Sequence, residues 1–346
     1  MPEKITATYR IVTPMFIGDA EQHASGISPA SVKGALRFWW RALNWGRFVN
    51  KADNEQDALK ELHTHEAALF GGLPETVDDE QTGKKRQQGG QGMFLLRVVR
   101  SNNAMATLDN WPTATSFSGY LGIGLWESGN SAKGNFQPHR QAFEEGQDFS
   151  VELLLKPAIT KDDKKALLDT LKIWGWFGGL GSRVRRGFGS IALAQLDGTD
   201  MAFANADDYI MAIKSVLNGY TVNGMEPPYT AFSAQAIAGL AATKANARSA
   251  HEELGRLFKS YRGQPSSLRG SQKRVFGMPY SGGTQEEADS RRASPMIFHV
   301  HPIANKYKGL VLSLPAVFHH KDTLAKIDNR LLSGFFQHLQ GVSLWQ

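Results

Sequence analysis

The 346-residue chain contains no cysteine. Disulfide frameworks and thiolate metal centres are therefore excluded, and the composition suits a reducing cytosol, so a cytoplasmic location is expected. No apolar run approaches the roughly 20 residues that cross a bilayer. The opening residues, MPEKITATYRIVTPMF, hold no apolar core of signal-peptide length. No membrane partner is expected. A third shortage is local. From Ser31 to Phe48, and again from Gly178 to Ile191, there is not one acidic residue.

What fills those two acid-free stretches is positive charge. The first carries Lys33, Arg37, Arg41 and Arg47, and the second carries Arg183, Arg185 and Arg186. Further cations cluster at Lys84-Lys85-Arg86, at Arg269 with Lys273-Arg274, and at Arg291-Arg292, whereas acids come in separate pairs such as Asp162-Asp163 and Glu252-Glu253. A net charge of +6 is moderate; its segregation predicts a basic surface, whose usual partner is nucleic acid. The length implies about two domains.

Alternating β-branched residues over 4–12 predict a strand. A helix follows from Ser28 or Ser31 to about Gly46, with Lys33, Arg37 and Arg41 on one face and Leu36, Trp40 and Leu43 as its apolar stripe. Residues 48–72 read as a helical insertion, and 73–92 as a polar, glycine-rich mobile loop. Strands are predicted over 93–100, 149–157 and 190–196, and a helix capped by Thr160 over 160–177. The order is β-α-β-β-α-β, the split βαβ or ferredoxin-like arrangement shared by RNA-recognition modules. From about Ala202 a second unit repeats it: a helix over 205–218, a strand over 231–240, a helix over 245–263, strands over 295–303 and 309–318, a helix over 320–340 and a final VSLWQ segment. The fold class is thus α+β, with two ferredoxin-like domains at 1–200 and 201–346 and an insertion around 48–92.

The segment GGLGSRVRRGFGSI places five glycines and three arginines within 178–189. It is not a P-loop, which needs GxxxxGK[ST] between a strand and a helix, nor a dinucleotide fingerprint, because here a helix precedes and a strand follows. Two readings remain. The glycines can simply end the preceding helix. Alternatively, backbone amides around Gly179, Gly181 and Gly187, with the three guanidiniums, grip a sugar–phosphate backbone. Phe188 can stack on a base or anchor the loop.

This loop, in the form GLGSRVRRGFGS, resembles the glycine-rich loop of the RAMP superfamily, the RNA-binding subunits of CRISPR effector complexes. YRIVTPMFIGDA followed by SVKGALRFWWRAL, and FGMPYSGG with RRASPMIFHVH, are similar to one branch, the first-numbered subunit of type III-B (Cmr) complexes. The resemblance implies two ferredoxin-like domains and a non-catalytic subunit in antiviral defence. It further implies a place beside the 3′ part of a guide RNA and the incoming single-stranded target RNA, with other complex subunits as partners. It implies RNA-binding roles for Lys33, Arg37, Arg41, Arg183, Arg185 and Arg186, and more weakly for Arg291 and Arg292.

Two rival functions stay open. Asp19, Glu21 and His23 stand within five residues and could hold a metal or activate a ribose hydroxyl, making the chain an endoribonuclease. A solvated loop carries such residues too. His139, His299, His301, His319 and His320 are further acid–base candidates, but His299 and His301 alternate in a strand and suit a packed joint better. No cofactor and no metal site are expected. The other rival is a protein-interaction module without RNA contact. Trp39, Trp40 and Trp45 are read as core rather than base-stacking residues.

Overall fold

The computed structural model describes residues 3–18, 23–73, 75–78, 85–88, 90–100, 111–125, 141–263, 268, 270–278, 285, 289–317 and 329–345. Strand β1 (Lys4–Ile11) leads into α1 (Pro29–Val49), whose N-cap is Ser28: its Oγ accepts from the Ala30 amide at 3.2 Å. The helix does not stop at Gly46. That glycine is a packing residue, because a β-carbon there would overlap the Thr221 carbonyl oxygen. The insertion contributes α2 (Glu55–Phe70) and then a hairpin, β2 (Glu75–Asp78) with β3 (Lys85–Gln88), where a loop was expected. Then come β4 (Phe94–Arg100), the short α3 (Phe117–Leu121), β5 (Asp148–Leu155), α4 (Lys161–Phe177), β6 (Ile191–Leu196) and β7 (Thr199–Asp200). Thr160 caps α4 by accepting from the Asp163 amide, and Asp162 and Asp163 oppose the positive end of its dipole.

The remaining elements are α5 (Ala206–Leu217), β8 (Ile237–Lys244), α6 (Ala247–Gly263), a 3-10 turn (Gly270–Phe276), β9 (Met296–Ile303), β10 (Lys306–Ser313), α7 (Arg330–Phe336) and β11 (Gln340–Ser343). β8 starts later than expected, and of the helix expected over 320–340 the residues 320–328 lie outside the described residues. Two antiparallel sheets result, ordered β4-β5-β1-β6-β7 and β11-β8-β10-β9. Numbering the four main strands of each sheet along the chain, both read 4-1-3-2. That is the order the split βαβ pattern predicts.

The first sheet buries one face. Ile5, Ala7, Tyr9 and Ile11 of β1, with Phe149, Val151 and Leu153 of β5, share a core with Leu36, Trp39 and Trp40 of α1 and Leu171 and Trp174 of α4. Each isoleucine, valine, leucine or phenylalanine among them contributes about 1.5–3 kcal/mol of burial. The opposite face is polar, with ion pairs such as Arg10–Asp148 at 2.8 Å. The second sheet is buried on both faces. Met296, Phe298 and Val300 cluster with Leu254 and Phe258 of α6, while Ile297, Leu310 and Leu312 join the core of the first unit. This explains the near-continuous apolar runs of β9 and β10.

His299 and His301 lie in that second, inter-sheet layer. His299 Nδ1 is 3.0 Å from the Gly178 carbonyl oxygen, and its Nε2 is 3.2 Å from His301 Nδ1. A carbonyl can only accept. His299 therefore carries its proton on Nδ1, and its bare Nε2 accepts from His301. The His301 ring stacks on Tyr209 at 4.6 Å. Burial pushes the His299 pKa down to about 3 and holds His301 well below its ordinary value. These are neutral structural joints. His251 on α6 is another, pushed down by burial to about 4.

Unfolding returns all three to near 6.5, so between about pH 6.5 and 4 the unfolded chain binds more protons. Stability is full above that window and falls as pH drops through it, by up to about 1.4 kcal/mol per pH unit per histidine. Denaturant titrations from pH 7.5 to 4.5 should show a shallower pH slope for His301→Gln than for wild type. Equal slopes would mean that this buried pair does not carry the effect.

Candidate nucleic-acid interface

Residues 178–189 leave α4, turn back beside its end and enter β6. The turn needs glycine at two kinds of position. Gly181, Gly187 and Gly189 have φ of 92°, 83° and 61°, a region costly for other residues. Gly179 instead sits where a β-carbon would overlap the Gly189 carbonyl.

The backbone of this loop is largely satisfied from within. The amides of Leu180, Ser182, Arg186, Gly187 and Gly189 donate to Gly189, Phe16, Arg183, Val184 and Pro14 carbonyls at 2.7–3.1 Å. Its carbonyls are held as well. Arg185 accepts from the Phe298 amide at 3.1 Å, Arg186 from His251 Nε2 at 2.9 Å, and Gly187 from Thr13 Oγ1 at 2.7 Å. Of the glycine amides expected to grip a ligand, that of Gly187 is engaged within the loop; the glycines shape the turn, and the arginine side chains are its charged donors. Phe188 is fully buried beside Phe16, Trp111 and His251, so it anchors the loop and stacks on no base.

The loop lies at the seam between the sheets, and this brings the arginines together. Arg183 is exposed at the rim, while Arg185, Arg186, Arg262 of α6 and Arg292 are half-buried. All five line one cleft of about 460 Å³ with Phe276, Met278 and Ser294. Among the described residues no carboxylate lines it. The guanidiniums rest on aromatic rings: Arg185 over Phe38 at 5.0 Å, Arg186 over Phe258 at 4.9 Å, and Arg262 over Phe276 at 5.4 Å. Their hydrogen bonds go mostly to neutral carbonyls. Arg185 donates to Ser294 O at 2.6 Å, Arg186 to Phe276 O at 3.3 Å, and Arg292 to Ala316 O at 3.2 Å. Desolvation pushes Arg185, Arg186 and Arg292 down to about 10, and for Arg186 the charges of Arg262, Arg183 and Arg185 push the same way. All remain cationic at neutral pH.

The cations of α1 behave differently. Arg37 and Arg41 converge on Glu66 of α2, at 3.2 and 3.4 Å, and that carboxylate side chain is 4% exposed. Arg37 also donates to the Gly71 carbonyl. One acid from the insertion therefore offsets much of the charge of both. Lys33 lies over the Phe94 ring at 5.6 Å, and burial with the charge of Arg37 lowers its pKa. Arg41 does reach the basic seam: it shares an adjoining cleft of about 500 Å³ with Phe38, Glu66 and Arg185, and Arg185 lines both clefts.

Of the paired arginines, Arg292 faces the cleft. Arg291 is exposed and donates to the Asp289 and Ser290 carbonyls. Asp19 and Glu21 lie outside the described residues, as do His139, His319 and His320. His23 is exposed, and its carbonyl accepts from the Ser25 amide. Trp39, Trp40 and Trp45 are core. Sequence reasoning missed Arg262, which sat unremarked in an amphipathic helix, and Glu66, whose partners lie on another helix.

The family model of the RAMP superfamily matches residues 8–192. A curated relative, the CRISPR system Cmr subunit Cmr1-2 of Pyrococcus furiosus, is 27% identical over 195 residues, covering 54% of this chain and 92% of the relative. Among solved structures, Cmr1 from Pyrococcus furiosus in its apo form superposes with a TM-score of 0.63 at 20% identity over 99% of both chains. A chain of the type III-B Cmr-beta complex bound to cognate target RNA gives a TM-score of 0.56 at 11% identity, over 98% of this chain and 99% of that one.

The Glu66 arrangement has a measurable consequence. Glu66→Gln keeps the shape but leaves two cations facing each other, with α2 less firmly held. Because both arginines are partly exposed, a loss of about 1–2 kcal/mol is expected in chemical denaturation. An unchanged midpoint would mean that the ion pairs contribute nothing to docking the insertion.

Proposed function

The chain belongs to the RAMP superfamily, and on that premise we propose that it is an RNA-binding structural subunit of a type III-B CRISPR ribonucleoprotein. It acts in antiviral defence in the cytoplasm, beside sister subunits. Its ligands are the 3′ region of a guide RNA, a single-stranded target RNA, or both. Residues 1–200 and 201–346 serve as its two domains, and the ligand lies across the seam between them. The reading rests on one observation above the others: five arginines drawn from both halves of the chain line one cleft that no described carboxylate lines. Only an anion complements such a surface.

Arginine suits the task because its planar fork bonds phosphate oxygens bidentately while its face stays on a ring. The contacts go to the backbone and carry little sequence information. Arg183 and Arg185 meet the strand first, Arg292 follows, and Arg41 extends the track past Arg185 toward α1. Lys33, Arg37 and Arg291 add long-range attraction. The subunit performs no turnover in this reading. The neutral buried His251, His299 and His301 are engaged in hydrogen bonds and serve as supports.

Fluorescence anisotropy of a labelled single-stranded RNA across a salt series tests the reading. Wild type should bind in the micromolar range or better and weaken steeply with salt. Arg183→Ala combined with Arg185→Ala should lose at least about ten-fold in affinity. Its salt slope should fall by about 1.4, at roughly 0.7 per lost phosphate contact on a single strand. A wild type that does not bind, or a double variant with unchanged slope, would leave the basic seam to protein contacts.

A further inference from the structure

The arginine cleft is not uniform along its depth. Arg183 at the rim is exposed, but Arg186 and Arg262 lie deeper, flanking the Phe258 ring at 4.9 and 5.5 Å. Each keeps one donor without a partner among the described residues: Nη1 of Arg186 and Nε of Arg262 are buried and make no hydrogen bond. Such orphaned donors are rare and costly in a folded protein. Here they belong to two like charges close enough to disfavour one another, in a cleft that no described carboxylate lines. The Tyr120 hydroxyl accepts from Arg262 Nη1 at 2.9 Å, and Glu226 favours the charge of Arg292 from outside the cleft, but no described carboxylate lines the cleft beside Arg186 and Arg262. A groove that only follows a strand along its side needs charges at the rim. It does not need charges withdrawn behind aromatic rings.

The geometry points to the inner cleft around Arg186, Arg262 and Arg292 as a seat for a single phosphate group, inserted end-on from the RNA track. A tetrahedral oxyanion presents several acceptors at once, matching several guanidinium forks. The cleft, at about 460 Å³, has room for the phosphate and its attached ribose. The proposal takes its source of phosphate from the RNA reading above, though not its chemistry. That source is either a phosphorylated strand end or an internal phosphate at a sharp bend.

The test uses the full chain and two probes. The first is inorganic phosphate, compared with chloride at equal ionic strength, in thermal unfolding. Phosphate at about ten times its dissociation constant should raise the midpoint by roughly 3 °C, saturably. Arg186→Met and Arg262→Met should each abolish the rise. Cooperative melting of the anion-free variants checks folding, and if one fails to fold the other still decides. A rise equal to that in chloride, or one retained in a folded variant of each kind, overturns the seat.

The second probe is a set of 12-nucleotide RNAs ending in 5′-phosphate, 3′-phosphate or hydroxyl. A terminal phosphate that tightens wild-type binding about ten-fold, but not Arg186→Met, identifies a strand end as the source. Equal weakening of all three RNAs by Arg186→Met identifies an internal phosphate. RNA binding that is unchanged in both variants, without a phosphate-specific rise, sinks the seat and leaves the RNA reading standing. A phosphate-specific rise in a wild type that binds none of the RNAs sinks the RNA reading alone.

Discussion

The hydrogen bonds that hold the carbonyl groups of residues 178–187 from the opposite unit are what the rest of the site depends on. Gly178 is held by His299, Arg185 by the Phe298 amide, and Arg186 by His251. Two of these donors are on β9 and one is on α6. The glycine loop thus extends the edge of the second sheet while remaining covalently part of the first unit. Its position at the seam follows directly, and so does the direction in which its arginines emerge. The donors are reliable because burial keeps both histidines neutral across the physiological range.

Given that frame, the arginines face an electrostatic conflict that packing contains without resolving. Rings from α1, α6, β9 and the 3-10 turn support the guanidinium faces, which are weakly hydrated and tolerate apolar contact. Carbonyl oxygens take some of the donors. Neither supplies a negative charge. On α1 the same kind of conflict is eased inside the chain, by Glu66. The molecule therefore holds two basic regions of different character, one partly offset by an internal acid and one left open, joined through Arg185.

Much of this architecture was legible in the sequence, for identifiable reasons. The period-2 pattern of β1 and β5, the Ser28 and Thr160 caps and the apolar stripe of α1 are local signals, and the split βαβ order followed from them. The arginines of the loop stood out for the same reason, since charge and glycine crowd one short segment. What was not legible depended on residues distant in the chain. Gly46 reads as a helix stop until the Thr221 carbonyl packs against it. The loop amides look available until Pro14 and Phe16 are placed beside them. Arg262 has no distinguishing neighbour in its own helix, and Glu66 pairs with cations of α1 only because α2 folds back onto it.

Arg183 adds one consequence of a different kind. Its φ of 59° lies in the left-handed region, where a residue with a β-carbon pays about 1–2 kcal/mol relative to ordinary backbone. Glycine, asparagine or aspartate would sit there more comfortably. The turn around it has glycine at 181 and 187, so an arginine is not required by the backbone and is opposed by it. A chain optimised for folding alone would drift away from arginine at this position. Its presence marks position 183 as one where local stability and the work of the side chain pull in opposite directions.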